Sequence, residues 1–364
     1  MPYAGLIQDA AGNLYGTTNQ GGGNRNGGTV LEVDSTGHET VLYSFCSASG
    51  CPDGAAPYAG LIQDAAGNLY GTTSAGGADV GGGYGGTVFK VDNTGHETVL
   101  YSFCSVGGAN CTDGQQPGGG LIQDAAGNLY GTTSTGGANA GPLGQGGGTV
   151  FKVDSTGHET VLYSFCSAPN CTDGSYPMAG LIQDAAGNLY GTTTSGGATA
   201  CNAPYGCGTV FKLDNTGHET VLYTFCSAPN CTDGAEPAYA GLIQDAAGNL
   251  YGTTRLGPYV SDPNSPCNPW GCGMVFKLAA GGGGGGSVSI TLTSTVNPSY
   301  VDQSVTFSVV VSGSGATPTG SVTFKEGTTA LGTVTLADGK ASLTTTFTKS
   351  GTAAIVARAL SPIV

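Results

Sequence analysis

Basic residues are scarce in this chain. Lysine and arginine total 10 in 364 residues, against 24 acidic ones, and they are scattered. A nucleic-acid partner needs a basic stripe, so none is expected. Long apolar runs are also missing. None approaches the roughly 20 residues that cross a bilayer, so no membrane span is expected. No window repeats apolar residues at helical spacing, so no helix is expected either. Charged residues make up only 9% of the chain, which excludes a charge-rich disordered tail. There is no Cys-x-x-Cys and no histidine beside the cysteines, which argues against zinc. An export signal is absent as well. Met1 is followed by Pro-Tyr-Ala-Gly, the same words that stand at 57–60. The chain therefore opens inside a repeat unit and is expected to be a fragment whose upstream part is missing, so the absent signal says little about location.

What is present is repetition. Leu-Ile-Gln-Asp-Ala-Ala-Gly-Asn-Leu-Tyr-Gly-Thr-Thr occurs five times without a substitution, at 6–18, 61–73, 121–133, 181–193 and 242–254. A period of this size marks a repeat architecture. In the second unit, strands are expected at about 59–64, 68–73, 87–92 and 97–103. Asp64-Ala65-Ala66-Gly67 is a tight turn, with Asp accepting backbone N–H groups and Gly taking positive φ. A variable Gly-rich loop separates the second and third strands. The first three strands recur five times, but the fourth recurs only four times. Four short antiparallel strands per unit point to a β-propeller of about five blades, one of them incomplete. The missing outer strand is expected to precede Met1, which would complete a closed ring; the other reading is five units of a longer array. A β-solenoid fits less well, because its coils are usually shorter.

Six glycines at 281–286 form a flexible tether. Beyond them cysteine disappears, and Thr, Ser and Val dominate. Short alternating segments between Gly, Pro and Asp turns predict an immunoglobulin-like sandwich over 287–364, cut before its last strand. The expected domains are thus 1–278, a linker at 279–286, and 287–364.

The 12 cysteines sort into six local pairs: Cys46/Cys51, Cys104/Cys111, Cys166/Cys171, Cys226/Cys231, Cys201/Cys207 and Cys267/Cys272. Four pairs share one place in the repeat. Counting alone does not prove connectivity, but the spacing favours local disulfides and hence an oxidising, non-cytosolic compartment.

The units Gly-Leu-Ile-Gln-Asp-Ala-Ala-Gly-Asn-Leu-Tyr-Gly-Thr-Thr, followed by Gly-Gly-Thr-Val-Phe-Lys, resemble the tandem repeats of the bacterial choice-of-anchor family, also called the GloVer repeat. The resemblance covers 2–278. It implies a secreted or surface-anchored repeat protein and no settled activity. The segment Pro318-Thr319-Gly320-Ser321-Val322-Thr323-Phe324-Lys325 is similar to a bacterial Ig-like repeat, which implies a spacer or adhesive stalk.

Candidate sites are few. His38, His96, His158 and His218 each follow Asp-(Ser/Asn)-Thr-Gly, where turn chemistry explains the segment without metal. No metal site is assigned and no cofactor is expected, although the loop carboxylates Asp113, Asp173 and Asp233 leave calcium open. Tyr15, Tyr70, Tyr130, Tyr190 and Tyr251 suit packing better than sugar stacking. No catalytic residue is assigned. Nearly every carboxylate is copied, whereas glycoside chemistry needs an acid and a base in distinct environments. Specificity belongs where the copies disagree, above all in the loop 255–273, with Arg255, Tyr259 and Trp270 as ligand candidates. The resulting expectation is a non-enzymatic extracellular or cell-surface protein for adhesion or recognition, with a glycan or another surface molecule as partner. The alternatives are a purely structural array and a propeller enzyme acting on polysaccharide.

Overall fold

The computed structural model describes the chain except residues 24, 78–84, 107–110, 142–143, 198–206, 229–230, 240, 258–272, 280–288, 296–299, 313–320, 327–328, 349–354 and 361–364. Among the described residues it is all-β, with 3-10 turns confined to the cysteine loops, such as Pro169–Cys171. It divides into two compact units, 1–244 with 251–276, and 245–250 with 277–364.

The first sheet runs in sequence order: β1 (Ile7–Gln8), β2 (Leu14–Thr18), β3 (Thr29–Val33) and β4 (Glu39–Ser44). The second repeats it with β5 (Ile62–Gln63), β6 (Leu69–Thr73), β7 (Thr87–Val91) and β8 (Glu97–Ser102). The third adds β9 (Gln115–Pro117) to β10 (Ile122–Gln123), β11 (Leu129–Thr135), β12 (Thr149–Val153) and β13 (Glu159–Ser164). The fourth holds β14 (Ile182–Gln183), β15 (Leu189–Thr193), β16 (Thr209–Leu213) and β17 (Glu219–Thr224). The fifth has three strands, β18 (Ile243–Gln244), β19 (Leu250–Thr254) and β20 (Met274–Leu278), as the strand count anticipates. First strands are only two residues long, shorter than the expected six.

Several residues of the repeated stretch have a structural task. Asp64 Oδ1 accepts from the N–H groups of Ala66 and Asn68 at 2.9 Å each. Its Oδ2 accepts from Asn68 Nδ2 at 2.7 Å and from the Tyr70 hydroxyl at 2.9 Å. Gly67 closes the turn at φ +85°. Gly71 lets the Phe89 ring approach, since a Cβ there would lie 2.6 Å from Phe89 Cζ. The two threonines divide the work. Thr17 and Thr132 donate to carbonyls of the following repeat, Ala59 at 2.9 Å and Ala179 at 3.1 Å. Thr73 and Thr133 instead bond the third-strand hydroxyls of Thr87 and Thr149 at 2.9 and 2.8 Å.

The cores lie between consecutive sheets. Val30 and Phe45 of the first repeat pack with Leu61, Leu69, Phe89 and Val91 of the second. The same set recurs as Val88 and Phe103 against Leu121, Leu129, Phe151 and Val153. It recurs again as Val150 and Phe165 against Leu181, Leu189, Phe211 and Leu213. Edge-to-face phenylalanine pairs cross each junction, Phe45–Phe89 and Phe103–Phe151 at 4.8 Å and Phe165–Phe211 at 5.0 Å. Burying each large apolar side chain contributes about 1.5–3 kcal/mol, and one sheet cannot do this alone. Leu6, with no sheet before it, is 54% exposed, whereas Leu61, Leu121 and Leu181 are each 3% exposed.

The second unit contains two three-stranded sheets. One is ordered β21 (Ser289–Ser294), β22 (Ser304–Ser312), β25 (Lys340–Thr346). The other is ordered β24 (Thr329–Thr335), β23 (Ser321–Glu326), β26 (Ile355–Leu360). Alternation turns Val305, Phe307 and Val309 inward against Val322 and Phe324. The opposite face carries hydroxyl pairs such as Thr306–Thr344 at 2.8 Å.

Candidate functional site

Two features stand out from the repeated frame. The first is the edge where the copies differ. Repeats two to five are entered through Asp-Gly-x-x-Pro, with variable residues Ala55-Ala56, Gln115-Gln116, Ser175-Tyr176 and Ala235-Glu236. The second variable residue is left-handed every time, with φ +56° at Ala56, Gln116 and Tyr176 and +53° at Glu236. Its backbone is fixed: Gln116 N–H donates to Gly85 O at 2.9 Å, and Ser134 Oγ donates to Gln116 O at 3.0 Å. A constant, strained backbone thus presents a changing side chain. In the third repeat this edge opens into a cavity of about 520 Å³, whose side chains include Thr112, Gln115, Gln116, Asn139 and Gln145. Asn139 is committed to the carbonyls of Ser164 and Phe165 at 3.0 and 3.2 Å. Gln115 Oε1 accepts only a long bond, 3.5 Å, from Thr135.

The fourth-to-fifth edge carries Arg255. Its guanidinium forms an ion pair with Glu236, with Nε donating at 2.9 Å, and its N–H donates to Glu236 O at 2.9 Å. Tyr259 and Trp270 lie outside the described residues, so the proposed grouping of the three is not visible. Arg255 is exposed and Glu236 half-buried, so the pair stands at the surface, where ion pairs contribute little. Arg255→Ala is therefore expected to change stability by less than about 1 kcal/mol, read from a urea denaturation midpoint.

The second feature is a seam of carboxylates between consecutive sheets. The Asp of the first three Cys-x-Asp-Gly loops is buried, Asp53 at 7% exposed, Asp113 at 3% and Asp173 at 4%, whereas Asp233 is half-buried. Oδ2 of Asp53 accepts from the Tyr43 hydroxyl at 2.9 Å and from Ser47 N–H at 3.0 Å. Tyr101 and Tyr163 do the same for Asp113 and Asp173, at 2.9 and 2.8 Å. Across the seam stands a glutamate from the next repeat. Burial pushes Glu97 up to about 7, with the Asp53 charge adding to the effect. Burial likewise pushes Glu159 and Glu219 to about 8, helped by Asp113 and Asp173. Glu39, the equivalent residue of the first repeat, is exposed.

These raised values carry a sign. The folded protein holds protons that the unfolded chain releases above its value of 4.5. The resulting stability is present below that value and is lost as pH rises through about 7 to 8. In metal-free protein the melting temperature is expected to fall between about pH 5 and about pH 8. In the triple variant Glu97→Gln, Glu159→Gln, Glu219→Gln that slope should flatten.

Other sequence candidates resolve as structural. His38, His96, His158 and His218 are exposed, and each N–H donates to its turn aspartate at 3.0 Å. The tyrosines Tyr15, Tyr70, Tyr130 and Tyr190 give their hydroxyls to the hairpin aspartates. Four expected disulfides are formed, Cys46–Cys51, Cys104–Cys111, Cys166–Cys171 and Cys226–Cys231. Cys207 is also disulfide-bonded, while Cys201, Cys267 and Cys272 lie outside the described residues. The sulfurs of Cys207, Cys226 and Cys231 cluster, but all are disulfide sulfurs and do not suit a metal. Among the described residues no helix is long and apolar enough to cross a membrane.

Sequence reasoning missed Gln115, Gln116 and the Asp–Glu pairing. The variable dipeptide inside Asp-Gly-x-x-Pro was a readable signal. The glutamates looked like neighbours of the histidines, not partners of the preceding repeat.

The chain belongs to the Gloeobacter/Verrucomicrobia repeat family, which matches residues 1–111 and 109–347. No curated protein matches it. Among solved structures it is similar to the extracellular domain of a one component system, BT4673, from B. thetaiotaomicron. That match has 13% identity and a TM-score of 0.41, and covers 99% of this chain and 43% of that one. The extracellular domain of the BT4673 hybrid two component system has 15% identity and a TM-score of 0.43, covering 84% of this chain and 33% of that one. Sucrose-6-phosphate hydrolase from Lactobacillus gasseri has 12% identity and a TM-score of 0.37, covering 92% of this chain and 71% of that one. The chain spans less than half the length of the first two. At these scores the likenesses carry no inference about activity.

Proposed function

We propose that this is a secreted or surface-attached, non-enzymatic recognition protein whose ligand is an extracellular glycan. Its sheets act as propeller-type blades that hold variable edges in a fixed frame. The C-terminal unit, read as an Ig-like module, serves as a spacer. The observation that carries the reading is the confinement of variation: the copies agree through hairpin and core and differ at the edge that opens into the cavity of the third repeat. Amide side chains such as Gln115, Gln116 and Gln145 supply paired donors and acceptors, the chemistry that matches sugar hydroxyls. The disulfides support an oxidising location. Copied carboxylates in equivalent positions support a binding role over catalysis.

Glycan-array binding by the full chain tests this. The expected result is binding to a subset of polysaccharides, lost in the variant Gln115→Ala, Gln116→Ala, Gln145→Ala. Binding that also weakens in Arg255→Ala would place the fifth repeat's edge in the same role. Binding to none, in folded protein, would leave the purely structural array, and release of reducing ends would favour an enzyme.

A further inference from the structure

The carboxylate seam poses a physical problem that the binding role does not use. Three times the fold places two acids beside each other between sheets, and among the described residues no basic side chain is a charged neighbour of the glutamates. Oδ1 of Asp53 and of Asp113 is buried and has no hydrogen-bond partner. The same holds for Oε1 of Glu97, Glu159 and Glu219. Oδ1 of Asp173 has only a long bond, 3.4 Å, from Ala168 N–H. A buried polar atom left unpaired destabilises the fold, and more so when charged. Each aspartate has its other oxygen occupied by a tyrosine hydroxyl and a backbone N–H, which fixes the carboxylate in place. Once both members are ionised, the unpaired oxygens of the pair are acceptors only, so the pair then needs a positive species, and below about pH 7 to 8 a proton on the glutamate can take that place.

We propose that each Asp–Glu pair, Asp53–Glu97, Asp113–Glu159 and Asp173–Glu219, is a binding site for a hard divalent cation of the calcium class that pins one repeat to the next. Calcium tolerates irregular oxygen sets completed by water, whereas magnesium demands near-ideal octahedral geometry. Two carboxylates per site match the weak sites of extracellular modules, with dissociation constants of about 10⁻⁴–10⁻³ M. Cation entry expels the proton that burial otherwise holds on the glutamate, and that proton goes to solvent. The chain contains its own controls. Glu39 is exposed, and among the described residues the fifth sheet has three strands and sets no fourth-strand glutamate against Asp233. Neither completes a site.

Terbium is the probe, because Tyr43, Tyr101 and Tyr163 are bonded directly to the seam aspartates and can sensitise its emission. Titration of the full chain should give tyrosine-sensitised emission that calcium displaces. Each single variant, Glu97→Gln, Glu159→Gln or Glu219→Gln, should remove about one third of it, as expected for three equivalent sites. Glu39→Gln should remove none. Calcium should raise the melting temperature of the unmodified chain near pH 8 and not that of the triple variant. The triple variant's own melting temperature without cation checks its folding, since an amide can donate to the orphaned aspartate oxygen. Absence of sensitised emission, or emission unchanged by the triple variant, would overturn the proposal. So would a melting temperature that responds to pH but not to calcium, which would mean that the pair shares a proton instead.

Discussion

Alanine at Gly148 is expected to lower stability by about 3–5 kcal/mol, combining left-handed strain with overpacking against backbone. Gly148 has φ +90°, and a Cβ would stand 2.4 Å from Thr133 O and 2.6 Å from Pro177 Cδ. The carbonyl is backbone and cannot swing away, and the proline ring begins the next repeat. Strand three, strand two and the incoming chain therefore all have to move. Gly67 supplies the matched control. It has nearly the same φ, +85°, but nothing within 4 Å of a built Cβ. Alanine there should cost only the conformational part, about 1–2 kcal/mol. Urea denaturation midpoints of the two variants measure the difference. Equal losses would mean that Gly148 does not sit in the tight junction described.

Phe151→Ala is the second large effect, about 3–5 kcal/mol. The ring is fully buried and packs with Val88 and Phe103 of the preceding repeat and with Leu121, Leu129 and Val153 of its own. Collapse into the vacated space is limited, because the neighbour beneath the ring is Gly131, which has no side chain to fill it. The loss should therefore fall in the upper part of the range. Replacement by leucine keeps most of the volume and should cost less than half as much, on the order of 1–1.5 kcal/mol. Differential hydrogen exchange should place the damage in the second and third sheets together, because the core they share is the one emptied.

The strands and their turns were readable because local chemistry sets them. Asp, Gly and Asn at fixed offsets make the hairpin, and the structure puts Asp64, Gly67 and Asn68 in those roles. The cysteine pairs were readable from spacing, since each closes a loop of a few residues. The six strands after the glycine tether followed from alternation alone. The acid seam was not readable, because its two members come from different repeats and meet only when sheets stack. Glu97 beside His96 looks like part of a turn, yet the structure puts the histidine in solvent and the glutamate against Asp53. Arg255 stood out because it is unique to its repeat, and its partner Glu236 is equally unique. The two substitutions answer each other across one edge, a pairing that sequence position alone does not reveal.

One repeated junction, used at every step from sheet to sheet, is the central claim about this molecule. Double-mutant cycles on its phenylalanine pairs test it most directly. Phe103 with Phe151, and Phe165 with Phe211, meet edge to face at centroid distances of 4.8 and 5.0 Å. Each cycle should give a coupling of about 0.5–1.5 kcal/mol, and the two values should agree within about 0.5 kcal/mol. A coupling near zero in either pair, in variants that remain folded, would contradict the claim.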